Sequence, residues 1–137
     1  MPSNDFWKRC ALLALLWCGG LTAAWADDPQ SQARQAWQLL DYIAVDYAGA
    51  VRDGQVVEAG EYAEMQEFGA TVREKLQALP AQPQQPAMLA AADALNANIA
   101  RRESPETVAK AAHALADQLL TAYGIEARPK APPRVGA

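Results

Sequence analysis

Apolar residues recur at three- and four-residue steps along most of this chain, the spacing of one helix face. From about Ser31 to Tyr47 the stripe is Ala33, Ala36, Leu40, Ile43 and Tyr47, with Trp37 and Ala44 on its flank. Gly49 and the Asp53-Gly54 pair break the chain, and Gln55-Val56-Val57 reads as a short extended link or turn. The clearest amphipathic segment follows from about Glu58 to Leu79, with Tyr62, Met65, Phe68, Val72, Leu76 and Leu79 on one face. Pro80, Pro83 and Pro86 end it in a polar loop. A third, alanine-rich segment from about Ala87 to Arg102 buries Met88, Ala92, Leu95 and Ile99. Ser104-Pro105-Glu106 then starts a fourth: Ser104 as cap, Pro105 in the first turn, Glu106 near the positive end of the dipole. Val108, Ala112, Leu115, Leu119 and Ala122 face inward, and Gly124 is the stop. No segment alternates with period two for long enough to make a strand. Short links favour antiparallel neighbours, so the expected fold is all-α, an antiparallel up-and-down four-helix bundle.

The first residues stand apart from this pattern. Lys8 and Arg9 precede an apolar run from Ala11 to Leu21, and Ala24 and Ala26 place small residues where signal peptidase needs them. Asp27-Asp28-Pro29 then opens a polar stretch. The run is short for a span of ~30 Å of hydrocarbon, which needs roughly 20 apolar residues. Gly19-Gly20 weakens it further as a helix. A lipid-modified Cys18 would follow Trp17, where a small residue is the norm. The expected organisation is a cleaved secretory signal over 1–26, a helical bundle over 27–124 and a proline-rich tail or linker over 125–137. That places the product in the periplasm, no longer membrane-spanning after cleavage.

Cleavage changes the chemistry that remains. Cys10 and Cys18 both lie in the leader, so the mature part has no disulfide, no thiolate metal site and no Cys-x-x-Cys-His for covalent haem. The chain has 12 Lys and Arg against 16 Asp and Glu, a formal net charge of −4. Loss of Asp5, Lys8 and Arg9 makes the remainder one charge more negative. Nucleic acid is an unsuitable partner for such a domain, because phosphate neutralisation dominates that affinity. Cations and basic partners suit it better.

The single histidine, His113, falls well off the apolar stripe of its helix at about 100° per residue. No nucleophile–base pair, phosphate-binding glycine loop or His/Cys metal spacing is present, so no enzymatic role is expected. The carboxylates carry more. Glu58, Glu61, Glu64 and Glu67 open the second helix at three-residue spacing. Dipole complementarity and solvation explain Glu67. The helical count puts Glu61 on the apolar face one turn before Met65, Glu58 near that face and Glu64 on its edge. A buried carboxylate needs a partner. One reading is a structural ion pair of Glu61 with Arg102, which extends the third helix's stripe, or with a lysine, or else exposure at a frayed helix start. The other is a hard-cation site of oxygen ligands from Glu61, Glu64, Glu58 and Asp46, since bundles hold iron or manganese with carboxylates on facing helices. Without nearby histidine such binding would be weak or transient. Tyr42, off the stripe, is exposed or covers the neighbouring helix; as a phenolate it could ligate ferric iron.

The run Leu39-Leu40-Asp41-Tyr42-Ile43-Ala44-Val45-Asp46-Tyr47, continued by Gly49-Ala50-Val51-Arg52-Asp53-Gly54-Gln55-Val56-Val57 and Glu61-Tyr62-Ala63-Glu64-Met65-Gln66-Glu67-Phe68, resembles the extracytoplasmic N-terminal domain of bacterial cytochrome c/iron permease fusion proteins. The likeness is strongest from about Ala33 to Leu79. It implies a periplasmic helical domain in iron uptake, with an iron permease or a c-type cytochrome subunit as partner. In that family a proline-containing linker leads on to a Cys-x-x-Cys-His haem domain and then to transmembrane helices. This chain stops at Pro132-Pro133-Arg134-Val135-Gly136-Ala137 without either. The permease signature Arg-Glu-x-x-Glu is imitated by Arg73-Glu74-Lys75-Leu76-Gln77, but Gln77 replaces the second acid and the segment is an amphipathic helix. Neither transport nor haem redox chemistry is therefore assigned to the polypeptide. Three readings follow: a fragment or truncated product of a fusion, a separate subunit that docks on a haem or permease partner, or a free-standing bundle. The expected role is that of an accessory domain that docks or transiently holds iron. The alternative is a metal-free interaction bundle.

Overall fold

The computed structural model describes residues 28–125. The proposed leader, and the tail beyond Ile125, lie outside the described residues. Four helices follow one another: α1 Pro29–Asp46, α2 Ala59–Ala78, α3 Gln85–Ala100 and α4 Pro105–Tyr123. Each packs on the next, and α4 closes the ring against α1. The bundle is the expected all-α one, and its buried stripes are those read from the periodicity except that Tyr62, Phe68 and Ala122 are only half-buried. Leu40 and Ile43 of α1, Met65 and Leu76 of α2, Met88 and Leu95 of α3, and Leu115 and Leu119 of α4 are all fully buried.

Hydrogen bonds between helix ends show how the layers alternate. At one end Tyr47, just past α1, donates to the Glu103 carbonyl between α3 and α4 at 2.7 Å. Tyr62, at the start of α2, donates to the Ile99 carbonyl near the end of α3 at 2.8 Å. At the opposite end Tyr123 of α4 donates to the Pro80 carbonyl after α2 at 2.9 Å. Nearby, Lys75 of α2 reaches Gln32 and Gln35 of α1 at 3.2 and 2.7 Å. Neighbouring helices therefore run antiparallel, and the described chain enters and leaves the bundle at the same end.

Pro86 is not part of the α2–α3 loop, where the sequence reading placed it. It sits in the first turn of α3, where a missing N–H costs nothing. Gln85 beside it donates to the Leu76 and Leu79 carbonyls, 2.9 and 3.1 Å away, which satisfies acceptors left over at the end of α2. Ser104 caps α4 as expected, accepting from the Thr107 N–H at 3.2 Å. Gly124 ends α4 in the left-handed region. Ile125 after it is buried, so packing runs one residue further than expected.

The α1–α2 connection differs from a plain link. A 3₁₀ turn, Tyr47–Gly49, leads into a minimal hairpin of β1 (Val51–Arg52) and β2 (Gln55–Val56), with Val51 opposite Val56. Asp53 and Gly54 both have positive φ, 52° and 73°, as a two-residue type I′ turn requires. Buried Ala50 and Val51 plug this end of the core.

Gly69 is where α2 and α3 approach most tightly among the described glycines. Asn96 of α3 donates to its carbonyl at 3.1 Å. A Cβ on Gly69 would overlap Asn96 Oδ1, with Cγ only 3.2 Å away. Helix propensity alone would make Gly69→Ala stabilising by about 1 kcal/mol. We expect instead a loss of about 1 kcal/mol, because the amide must leave and its bond is lost. Chemical denaturation of Gly69→Ala, Asn96→Ala and the double variant checks this: the double variant should be more stable than Gly69→Ala alone.

Candidate functional site

The four carboxylates singled out by sequence sit where α1 ends and α2 begins. An open cleft of about 560 Å³ lies there, beside the hairpin. Asp46, Glu58 and Glu61 line it, with Val45 and Val57 as its apolar part and Arg52 from the hairpin at its edge. Glu64 lies outside this lining, one turn before Phe68 on the same side of α2.

The environment of these acids differs from the helical count. Glu61 is exposed, as are Glu58 and Glu64, while Asp46 is half-buried. The apolar row of α2 does pass through Glu61, but that residue is in the first turn. There Tyr62 takes the inward position, bonded to the end of α3, and Glu61 opens onto the cleft. The Arg102 pairing also fails. Arg102 adopts φ 55°, outside the helix, and does not extend the α3 stripe. Among the described residues the ion pairs are Arg73–Asp93 at 2.6 Å and Arg101–Glu103 at 3.4 Å. Glu61 therefore resolves to exposure at a helix start. Asp46, Glu58 and Glu61 border the cleft without converging: among the described residues no three His, Cys, Asp or Glu side chains are grouped to hold one ion.

The remaining candidates are plainly placed. His113 is exposed on α4. Tyr42 is 56% exposed and also lies against α2, its ring 6.1 Å from that of Phe68 at 43°. Arg73 bonds Gln77 at 2.9 Å and Leu76 is core, so the permease-like segment belongs to the bundle's own packing.

Sequence reading missed two kinds of residue. Val45 and Val57 are 66% and 51% exposed and share the cleft. The available signal was apolar character off the α1 stripe and in a turn, where polar residues are the rule. The other kind is the set of tyrosine hydroxyls that tie helix ends together. Burial, followed by the nearby Tyr62 and Glu103, pushes the Tyr47 phenol up to about 12. Burial raises Tyr123 as well.

The Tyr47 shift has a definite pH consequence. Below pH 10 the phenol is neutral in folded and unfolded chains alike, and its contribution is fully present. Between about 10 and 12 the unfolded chain loses the proton first, so stability falls as pH rises, by up to about 3 kcal/mol across the window. Denaturant midpoints at pH 8, 10 and 11.5 should show this decline, and Tyr47→Phe should flatten it.

A family model described as the iron permease-associated 4-helix bundle domain matches residues 22–126. No curated protein and no solved structure matches the chain.

Proposed function

We propose, from the premise that this chain belongs to the iron permease-associated 4-helix bundle family, that it is a non-catalytic periplasmic accessory domain of an iron uptake system, which acts by docking on the permease. Family membership supports the accessory role in iron uptake. The docking reading is carried by one observation: the interior is sealed. Among the described residues none that is polar or charged is buried apart from the Tyr47 ring in the core, and no buried side-chain N or O lacks a partner. Bundles that hold metals place inward carboxylates on facing helices. Here Ala, Leu, Ile, Met and Val occupy those positions, which leaves recognition to the surface. Among the described residues no helix is long and apolar enough to cross a membrane.

A tagged chain recovered from its own cells should bring the iron permease with it. Recovery of a c-type cytochrome in its place would move the docking role to that partner, and recovery of neither would end the docking reading. A second reading, brief iron holding, is favoured by the gathering of Asp46, Glu58 and Glu61 on one cleft. Calorimetric iron titration should then saturate weakly, and Glu61→Ala or Glu58→Ala should reduce it. A flat titration removes iron holding without touching docking.

A further inference from the structure

Three large hydrophobic residues are exposed among the described ones: Val45 and Val57, which line the cleft, and Tyr42, which lies against Phe68 further along the groove between α1 and α2. Single exposed apolar residues are ordinary, but a contiguous row marks a contact surface. Val57 and Val45 share the cleft, Tyr42 is one turn back from Val45 on α1, and Tyr42 meets Phe68 of α2. Lys75 closes the groove beyond Phe68 by bridging to Gln32 and Gln35. From Glu58 to Phe68 the open part runs about 15 Å, which suits about ten helical residues or about five extended ones.

The rim is acidic. Asp46, Glu58 and Glu61 border the cleft and Glu64 the flank nearest Phe68, against Arg52 in the hairpin and Lys75 at the closed end, whose ammonium is held by Gln32 and Gln35. Charge therefore selects among occupants. A second copy would bring the same acids against themselves, on a chain that is already net negative. An anionic lipid surface would be repelled in the same way. A cationic segment would gain from the rim while its apolar side chains cover Val45, Val57 and Tyr42.

Resting on the accessory reading above, we propose that this groove receives a Lys/Arg-rich polypeptide segment with apolar anchor side chains, presented by the extracytoplasmic face of the iron permease. Overlapping synthetic peptides covering the extracytoplasmic segments of the permease from the same genome are titrated into the chain as the cell processes it. Binding is followed by calorimetry and by NMR shifts. Segments carrying Lys or Arg beside apolar residues should bind and shift Tyr42, Val45, Val57 and Glu61. Replacing their Lys and Arg by Gln, or raising salt from about 0.05 to 0.5 M, should weaken binding about tenfold. Val45→Lys with Val57→Lys should weaken it by about tenfold or more, and Glu58→Gln with Glu61→Gln by less. All four positions are exposed, so unchanged melting curves confirm that these variants fold.

Shifts on another face, equal binding of acidic peptides, or concentration-dependent self-association on this face would overturn the proposal. If the intact permease still co-purifies with the Val45→Lys, Val57→Lys variant, the groove assignment falls and the accessory reading stands. If neither peptides bind nor the permease co-purifies, both fall.

Discussion

Tyr47→Ala should cost about 3–5 kcal/mol, the usual range for deleting a large buried aromatic. A domain of this size is stable by roughly 5–15 kcal/mol in total, so the variant should melt about 15–25 °C lower or fail to fold at physiological temperature. The reason lies in position as much as volume. Tyr47 is fully buried at the point where α1 gives way to the hairpin. Its hydroxyl grips the Glu103 carbonyl at the α3–α4 corner. One side chain therefore fills the core and fixes a corner 56 residues away in sequence. Tyr47→Phe separates the two roles. It keeps the ring and loses only the hydrogen bond, with an expected cost of about 1–2 kcal/mol. Thermal denaturation of both variants checks the ordering. Equal losses would mean that the hydroxyl carries the whole effect and the ring almost none.

Leu40→Ala should destabilise by about 2–5 kcal/mol, through the lost transfer energy and the cavity left behind. Leu40 is fully buried in the middle of α1, which packs on both α2 and α4. Neighbours held by two other helices collapse poorly into the gap, so the upper half of the range is expected. Leu40→Met conserves volume and should cost less than about 1.5 kcal/mol. Gln38→Ala, an exposed change one half-turn away, should stay within about 0.5 kcal/mol. Urea denaturation of the three variants should reproduce that order, with similar m-values.

The stripe Ala33, Ala36, Leu40, Ile43, Tyr47 was legible because a long amphipathic helix repeats its signal over several turns, and each of these residues is buried. Two-residue strands have no room to repeat anything. The hairpin was therefore visible only through Asp53-Gly54, which reads equally well as a break. Angular counting failed at helix ends for a related reason. It assumes that the helix continues and that its inward face stays covered along its whole length. Arg102 breaks the first assumption and Glu61 the second. The site was half legible: Glu58, Glu61 and Glu64 cluster in sequence at the start of α2, whereas Val45 and Asp46 come from the other side of the hairpin and meet Val57 and these acids only once it has turned the chain. Gly69 and Asn96 show the same limit, since a glycine inside a helix does not reveal which side chain across the bundle occupies the space.

An even number of antiparallel helices has a mechanical consequence. Asp28 and Ile125 both lie at the end that Tyr123 ties to Pro80, while the acidic cleft lies at the other, about 28 Å away along the 19 residues of α4. A tether at either terminus would hold the domain by its base and present the cleft outward, like a cap on a short mast. Swinging about that attachment, the cleft would sweep an arc of roughly that radius, while the rigid bundle kept its own shape.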